Sequence, residues 1–443
     1  MSTRDRVRSN TTPVWSRRTT SILRVVGTTA WLRSSGSSWS RTGSSRQADR
    51  ARSILPAMKI TDITCIPSWN GHRNDTYVFV DTDAGITGIG EGGLTGQELA
   101  MAACIEHLEP RLIGRDPFEI ERLWQLLFRG GFFPAAKIGA AAISAIDIAL
   151  WDIKGKALGV PVYELLGGKV RDRVVVYPHN RSGEAAAGRG QIDELVASCL
   201  ETWRAGWKFV RWGLPQQGDG VLEGAPAVRM CVEQVRAVRD ALGPEAEICV
   251  DVHTRLDQTD TIQLLRAVEP YRPYFMEDPI RAENLTSLRR VRQVTAVPIA
   301  MGEHASSKWE LKDLIEEELA DYVRVDVTMC GGLSEARKIA GWAETHYLKI
   351  APHSPNGPVV SAASLHLCLA TDNFGVLECP RRPGTHLADA FPVQLEWEDG
   401  YLLPPSRPGL GVSVDRDVLR TRYPYRPTPM PSLHRRDGSL TNW

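Results

Sequence analysis

ICVDVH (248–253), YFMEDP (274–279) and PIAMGE (298–303) punctuate one stretch of the chain at equal intervals. Each places an acid, Asp251, Glu277 or Glu303, at the end of a short apolar run, and successive acids are 26 residues apart. A strand, a loop, a helix and a return loop take about that many residues, so the interval is one β/α repeat of a (β/α)8 barrel. Three carboxylates at the carboxyl ends of consecutive parallel strands converge on one mouth. Like charges repel there unless a cation holds them, and three oxygen ligands suit Mg2+.

Outward from this stretch, strand and helix alternate from about Arg173. Predicted strands are Val174–Tyr177, Phe209–Trp212, Ile248–Val252, Tyr274–Met276, Ile299–Met301, Tyr322–Val327, Leu348–Ala351 and Gly375–Leu377. Amphipathic segments lie between them, and eight such strands make a closed α/β barrel rather than an open sheet. The barrel is predicted over residues 173–381.

Residues 58–172 read differently. Strand-like runs (KITDITCIP, TYVFVDT, ITGIGE) precede helical stretches at Gly96–Leu112, Phe118–Phe128 and Ile138–Leu158. Strands followed by helices imply a separate α+β capping domain. Residues 382–443, rich in Pro and Gly, are predicted to pack back on that cap. Residues 1–57 are rich in Arg and Ser, lack Lys and Glu, and hold only Asp5 and Asp49 as acids. Such a segment buries too little surface to offset its ordering entropy. The expectation is that the domain starts at Met58, the preceding residues being an upstream extension of the reading frame; a targeting leader or a disordered tail are the alternatives.

Acidic and basic side chains are equal in number, 53 each, which removes any electrostatic case for nucleic acid or a membrane surface. The eight cysteines form no CxxC pair and lie mostly in apolar runs, so they are expected to be reduced, buried thiols of a cytoplasmic protein. No run approaches the roughly 20 apolar residues of a membrane span.

Other strand ends carry chemistry too. Arg211 ends the second strand, and His253 follows Asp251 by two residues, on the same face of an extended chain. Asp326, His353 and Glu378 fall at strands six, seven and eight. Asp326 and His353 are one β/α unit apart, so adjacent strand ends can bring them into hydrogen-bond contact. An Asp bonded to one imidazole nitrogen fixes the tautomer and raises the basicity of the other, as a general base requires. Any one of these residues alone reads as easily as a helix cap or a satisfied loop histidine.

Together with LWDIKGKALGVPVYELLGGKVRD (150–172), GGLSEARKIAGWAE (331–344) and APHSPNGP (351–358), these residues resemble the enolase superfamily, mandelate racemase subgroup. Within it the closest resemblance is to acid-sugar dehydratases of the D-galactonate dehydratase type, over Met58 to Trp443. The resemblance implies a modified TIM barrel and Mg2+ on Asp251, Glu277 and Glu303. It also implies α-proton abstraction by His353, oriented by Asp326, and protonation of the departing 3-hydroxyl by His253. Glu378 would be protonated, with its pKa raised, and would donate to the substrate carboxylate. The product would be a 2-keto-3-deoxy acid, and the molecule a homo-oligomer. Racemases and cycloisomerases of this superfamily usually carry Lys-x-Lys on strand two. Arg211-Trp212-Gly213 stands there instead, and a guanidinium does not readily give up a proton. Arg211 is therefore expected to neutralise or position the substrate carboxylate. Epimerisation or cycloisomerisation on the same scaffold, or sugar-acid binding without turnover, are the rival readings. Specificity is expected from two cap loops, Trp69–Thr76 and Arg129–Ile138.

Overall fold

Alternation in the first strands builds the cap. In the computed structural model, which describes residues 58–181, 189–218 and 220–442, β1 (Ile60–Trp69), β2 (Asn74–Thr82) and β3 (Thr87–Gly92) form an antiparallel sheet in sequence order. Helices α1 (Glu98–Leu108), α2 (Ile120–Arg129), α3 (Lys137–Leu158) and the short α4 (Val162–Leu165) follow. The expected leader, 1–57, lies outside the described residues. In β3, Gly88 and Gly90 face α3 so closely that a Cβ would stand 2.1 Å from Ala149 O and 1.8 Å from Ala145 O. Glycine here is a requirement of helix–sheet approach.

The barrel opens with β4 (Val174–Tyr177), α5 (Arg189–Arg204), β5 (Phe209–Gly213), α6 (Gly224–Leu242), β6 (Glu247–Asp251) and α7 (Gln258–Val268). It continues with β7 (Phe275–Glu277), α8 (Leu285–Arg292), β8 (Ile299–Met301), α9 (Lys312–Glu316) and β9 (Tyr322–Val323). α10 (Leu333–Glu344), β10 (Lys349–Ile350), α11 (Pro358–Ala370) and β11 (Leu377–Glu378) complete it. β5 to β10 pair in parallel and in order, and β11 pairs in parallel with β4. Backbone bonds bridge both seams: Asn180 N to Arg211 O at 2.8 Å, and Gly375 N to Ile350 O at 2.8 Å. The eighth strand is followed by no barrel helix, which is the modification of the TIM pattern. Strand six is shorter than predicted as a formal strand, although Arg324 N still donates to Met301 O at 3.0 Å and His353 N to Val325 O at 3.1 Å.

The tail adds β12 (Trp397–Glu398), β13 (Tyr401–Leu402) and α12 (Arg416–Arg422). It touches more than the cap: β13 pairs antiparallel with β4, while Trp69 N donates to Tyr423 O at 3.0 Å. Buried α3 ties cap to barrel, since Ser144 Oγ accepts from Gly331 N at 2.9 Å and Asp147 Oδ2 from Ser334 N at 3.0 Å. All eight cysteines are free, six of them buried. No described helix is long and apolar enough to cross a membrane.

Candidate active site

Inside the barrel a buried plug is built from Tyr177, Phe209, Cys249, Phe275, Ala300, Ala351 and Val376, with Tyr322 packed against it. Side chains alternate along a strand, so the residue two positions further on faces the same interior, one layer nearer the mouth. That step converts the plug into His179, Arg211, Asp251, Glu277, Gly302, His353 and Glu378, and from Tyr322 into Arg324 and then Asp326. The polar ring is therefore the hydrophobic layer displaced by one pleat. Glu303 follows Gly302 and completes it.

Arg324 is the hub of the ring and is wholly buried. Its Nε donates to Glu277 Oε1 at 2.7 Å, one terminal nitrogen donates to Glu378 Oε2 at 2.7 Å, and the other to Ala351 O at 2.7 Å and Pro352 O at 3.1 Å. Arg211 bonds Asp251 Oδ2 and lies 3.7 Å from Glu277 Oε2. Asp251 Oδ1 accepts from His253 N at 2.7 Å. Glu303 Oε2 and Glu277 Oε2 are buried without a hydrogen-bond partner. Burial, with the Asp278, Glu277 and Asp251 carboxylates, pushes Glu303 well above the usual carboxylate range. Burial also opposes the charge on Asp251, but His253 and Arg211 outweigh it and hold this acid below its ordinary value.

All-oxygen donors and two unpartnered buried oxygens fit Mg2+ chemically. Yet among the described residues, the acid and histidine group whose ligand atoms all lie within 4.8 Å of one another is Asp278, Glu303 and His304. Asp251 and Glu277 are instead turned toward the two guanidiniums.

Asp326 and His353 meet as expected, Nδ1 to Oδ2 at 2.7 Å. Asp326 Oδ1 accepts from Thr328 N at 2.7 Å and from its hydroxyl at 2.6 Å, so the carboxylate is fixed. With the proton on Nδ1, the Nε2 lone pair faces the acids, 3.7 Å from Glu303 Oε2. His253 stands four strands away around the ring, across the mouth. Asp251 favours its charged form, but burial with Arg255 and Arg211 prevails, and its pKa is lowered. The expected upward shift of Glu378 is not found. Burial acts upward, but Arg324, His353 and His179 overcome it and hold Glu378 well below the carboxylate range. Glu378 is an acceptor in this ring, from Ser354 N at 2.9 Å and Arg324, and its Oε1 lies 2.6 Å from His179 Nε2.

Sequence reading missed Arg324, His179 and Asp278. The first two were readable as residues in step with a plug residue; Asp278 was not, because it follows Glu277 and alternation assigns it to the outer face.

Both predicted cap loops reach this mouth. Arg73 donates to Pro355 O beyond His353, and Lys137 to His304 O and to Glu310 Oε2, the latter at 2.8 Å. Buried Glu91 of β3 accepts from Gly357 N at 2.6 Å and Val360 N at 2.8 Å, fixing the start of α11 and the loop that carries His353.

Comparison with known proteins agrees with this architecture. Residues 66–167 match the model of the mandelate racemase / muconate lactonizing enzyme N-terminal domain, and 194–418 that of the enolase C-terminal domain-like family. The chain belongs to the enolase superfamily, in its mandelate racemase branch. A D-galactonate dehydratase family member of Streptomyces bingchenggensis is 40% identical over 84% of this chain and 95% of its own length. A D-mannonate dehydratase of Caulobacter sp. (strain K31) is 36% identical over 87% of this chain and all of its own. Among solved structures of the superfamily, an enolase from Pantoea ananatis with bound D-gluconate and Mg superposes with a TM-score of 0.80. It is 29% identical, over 87% of this chain and all of that one.

Proposed function

We propose that this protein is a hydro-lyase catalysing the Mg2+-dependent dehydration of a sugar acid, an aldonate, to a 2-keto-3-deoxy acid. The observation that carries the reading is the Asp326–His353 pair, 2.7 Å apart, across the mouth from His253. One imidazole takes a proton while the other gives one, on opposite faces of a substrate lying between them. Dehydratase relatives at 36–40% identity support the same class.

His353 Nε2 takes the proton α to the substrate carboxylate, with Asp326 holding the ring in the tautomer that leaves Nε2 free. Asp251, Glu277 and Glu303 would hold Mg2+, which when bound supplies positive charge against the second negative charge of the enediolate. Arg211, whose guanidinium pairs with Asp251, would then be available to the substrate carboxylate. His253 protonates the departing 3-hydroxyl as the C–O bond breaks, so water leaves and an enol remains. The enol tautomerises to the 2-keto-3-deoxy acid. The anionic substrate favours the imidazolium of His253, offsetting its low resting pKa. Ionised Glu378 orients Arg324 and His179 rather than donating a proton.

A library of aldonates incubated with Mg2+ should yield a 2-keto-3-deoxy acid from at least one member, and His353→Asn should slow its formation by about 100-fold or more. Recovery of an epimer with no loss of water would overturn the reading in favour of epimerisation. No turnover of any acid, with a melting temperature unmoved by Mg2+, would favour a non-catalytic binder.

A further inference from the structure

The mouth holds more acids than the proposed reaction uses, and they differ in how far their oxygens are already engaged. Asp251 has both taken, by His253 N–H and by Arg211. Glu378 has both taken, by His179 on one side and by Arg324 and Ser354 N on the other. Asp278 Oδ1 and Glu303 Oε2 have no hydrogen-bond partner, although these residues are only 1% and 6% exposed.

Asp278 is also held in place. Its φ of 38° is left-handed, a conformation that a non-glycine residue keeps only where its surroundings impose it. Its N–H donates to Ala300 O at 2.9 Å and its carbonyl accepts from Thr254 N at 2.9 Å, which clamps it between the ends of β6 and β8. The half-exposed His304 turns Nε2 to within 3.8 Å of Glu303 Oε1. One ligand atom from each of Asp278, Glu303 and His304 then lies within 4.8 Å of the others. Two buried carboxylates this close repel strongly, and a cation between them relieves the repulsion.

We infer that Asp278, Glu303 and His304 form a divalent-cation site of their own, with an imidazole nitrogen among its donors. It rests on the proposed function only in sharing Glu303 with the Mg2+ ligands. Mg2+ prefers all-oxygen surroundings, whereas an imidazole suits a borderline cation such as Fe2+, Co2+ or Zn2+. Zn2+ would also seek the two partly exposed thiols, so Mn2+, paramagnetic and able to take oxygen and nitrogen donors together, is the better probe.

Pulsed electron paramagnetic resonance on chelator-stripped protein reloaded with Mn2+ decides the matter. The expected result is nuclear modulation from a coordinated nitrogen in the unaltered chain, lost in His304→Gln and kept in Asp251→Asn. Asp278→Asn should weaken Mn2+ binding about tenfold or more while leaving the melting temperature of the stripped protein in place. Bound Mn2+ with oxygen surroundings alone would overturn the inference and leave the all-oxygen Mg2+ set standing. Nitrogen modulation that survives in His304→Gln would overturn it in favour of another histidine. Failure to bind either Mn2+ or Mg2+ would sink this site and the metal-dependent reading together.

Discussion

Arg324 concentrates the residue-scale physics. A guanidinium with no water around it persists only because Glu277, Glu378 and two carbonyls satisfy its donors. Arg324→Met removes the buried cation shared by Glu277 and Glu378 and should cost about 3–5 kcal/mol, read as a lowered urea midpoint. Arg324→Lys keeps the charge but loses the planar fork, so it should recover only part of that. An unchanged midpoint in Arg324→Met would mean the carboxylates are neutral or hydrated. For His353, replacement by Asn removes the base and should lower kcat by about 100-fold to 10,000-fold. Asp326→Asn keeps an imidazole in reach but unsettles its tautomer, and should cost less; an equal loss would make Asp326 a direct participant.

At the scale of elements, the decisive contact is β3 against α3. Gly90→Ala puts a methyl 1.8 Å from the Ala145 carbonyl, so strand or helix must shift, at a cost of about 1–3 kcal/mol in thermal or urea unfolding. Gly341 in α10 is the control: a Cβ there meets nothing within 4 Å, so Gly341→Ala should stabilise by about 0.5–1 kcal/mol. Equal effects of the two substitutions would show that the close approach at Gly90 is relieved without cost. Most elements were legible because their hydrophobic period was clean. The amphipathic stretch 308–319 is an exception: only Lys312–Glu316 is helical, and turns take the rest, with Ser306 N and Oγ donating to Glu310.

For the whole molecule, pH dependence follows from a histidine far from the acids. His366 in α11 is wholly buried; its Nδ1 accepts from Tyr163 N at 3.0 Å, and burial pushes its pKa down from 6.5 to about 4. Between those values the unfolded chain binds a proton that the folded one refuses. Stability is therefore complete above about pH 6.5 and falls as pH drops toward 4, by at most about 3 kcal/mol from this residue. Unfolding midpoints at pH 5 and 7.5 should differ for the unaltered chain and differ less in His366→Gln, the remainder belonging to groups such as His179 and His304, which burial also pushes down to about 4. A gap of the same size in the variant would assign the effect to other groups. Cap and barrel share buried bonds through Ser144, Asp147 and Glu91, so one calorimetric transition is expected; two separate ones would make the cap an independent unit.

Sequence alone determined what periodicity can carry. A 26-residue interval counts one strand and one helix, and a two-residue step along each strand sends Asp251, Glu277, His353 and Glu378 to one interior, whatever their later partners. Only the tertiary structure decided which oxygen meets which nitrogen. Arg324, His353 and His179 come from other strands, and they hold Glu378 ionised against its burial. Asp278 and Glu303 each keep a buried oxygen without a hydrogen-bond partner. Protonation and metal preference depend on distances of a few ångströms between residues far apart in the chain, and local pattern does not encode those distances.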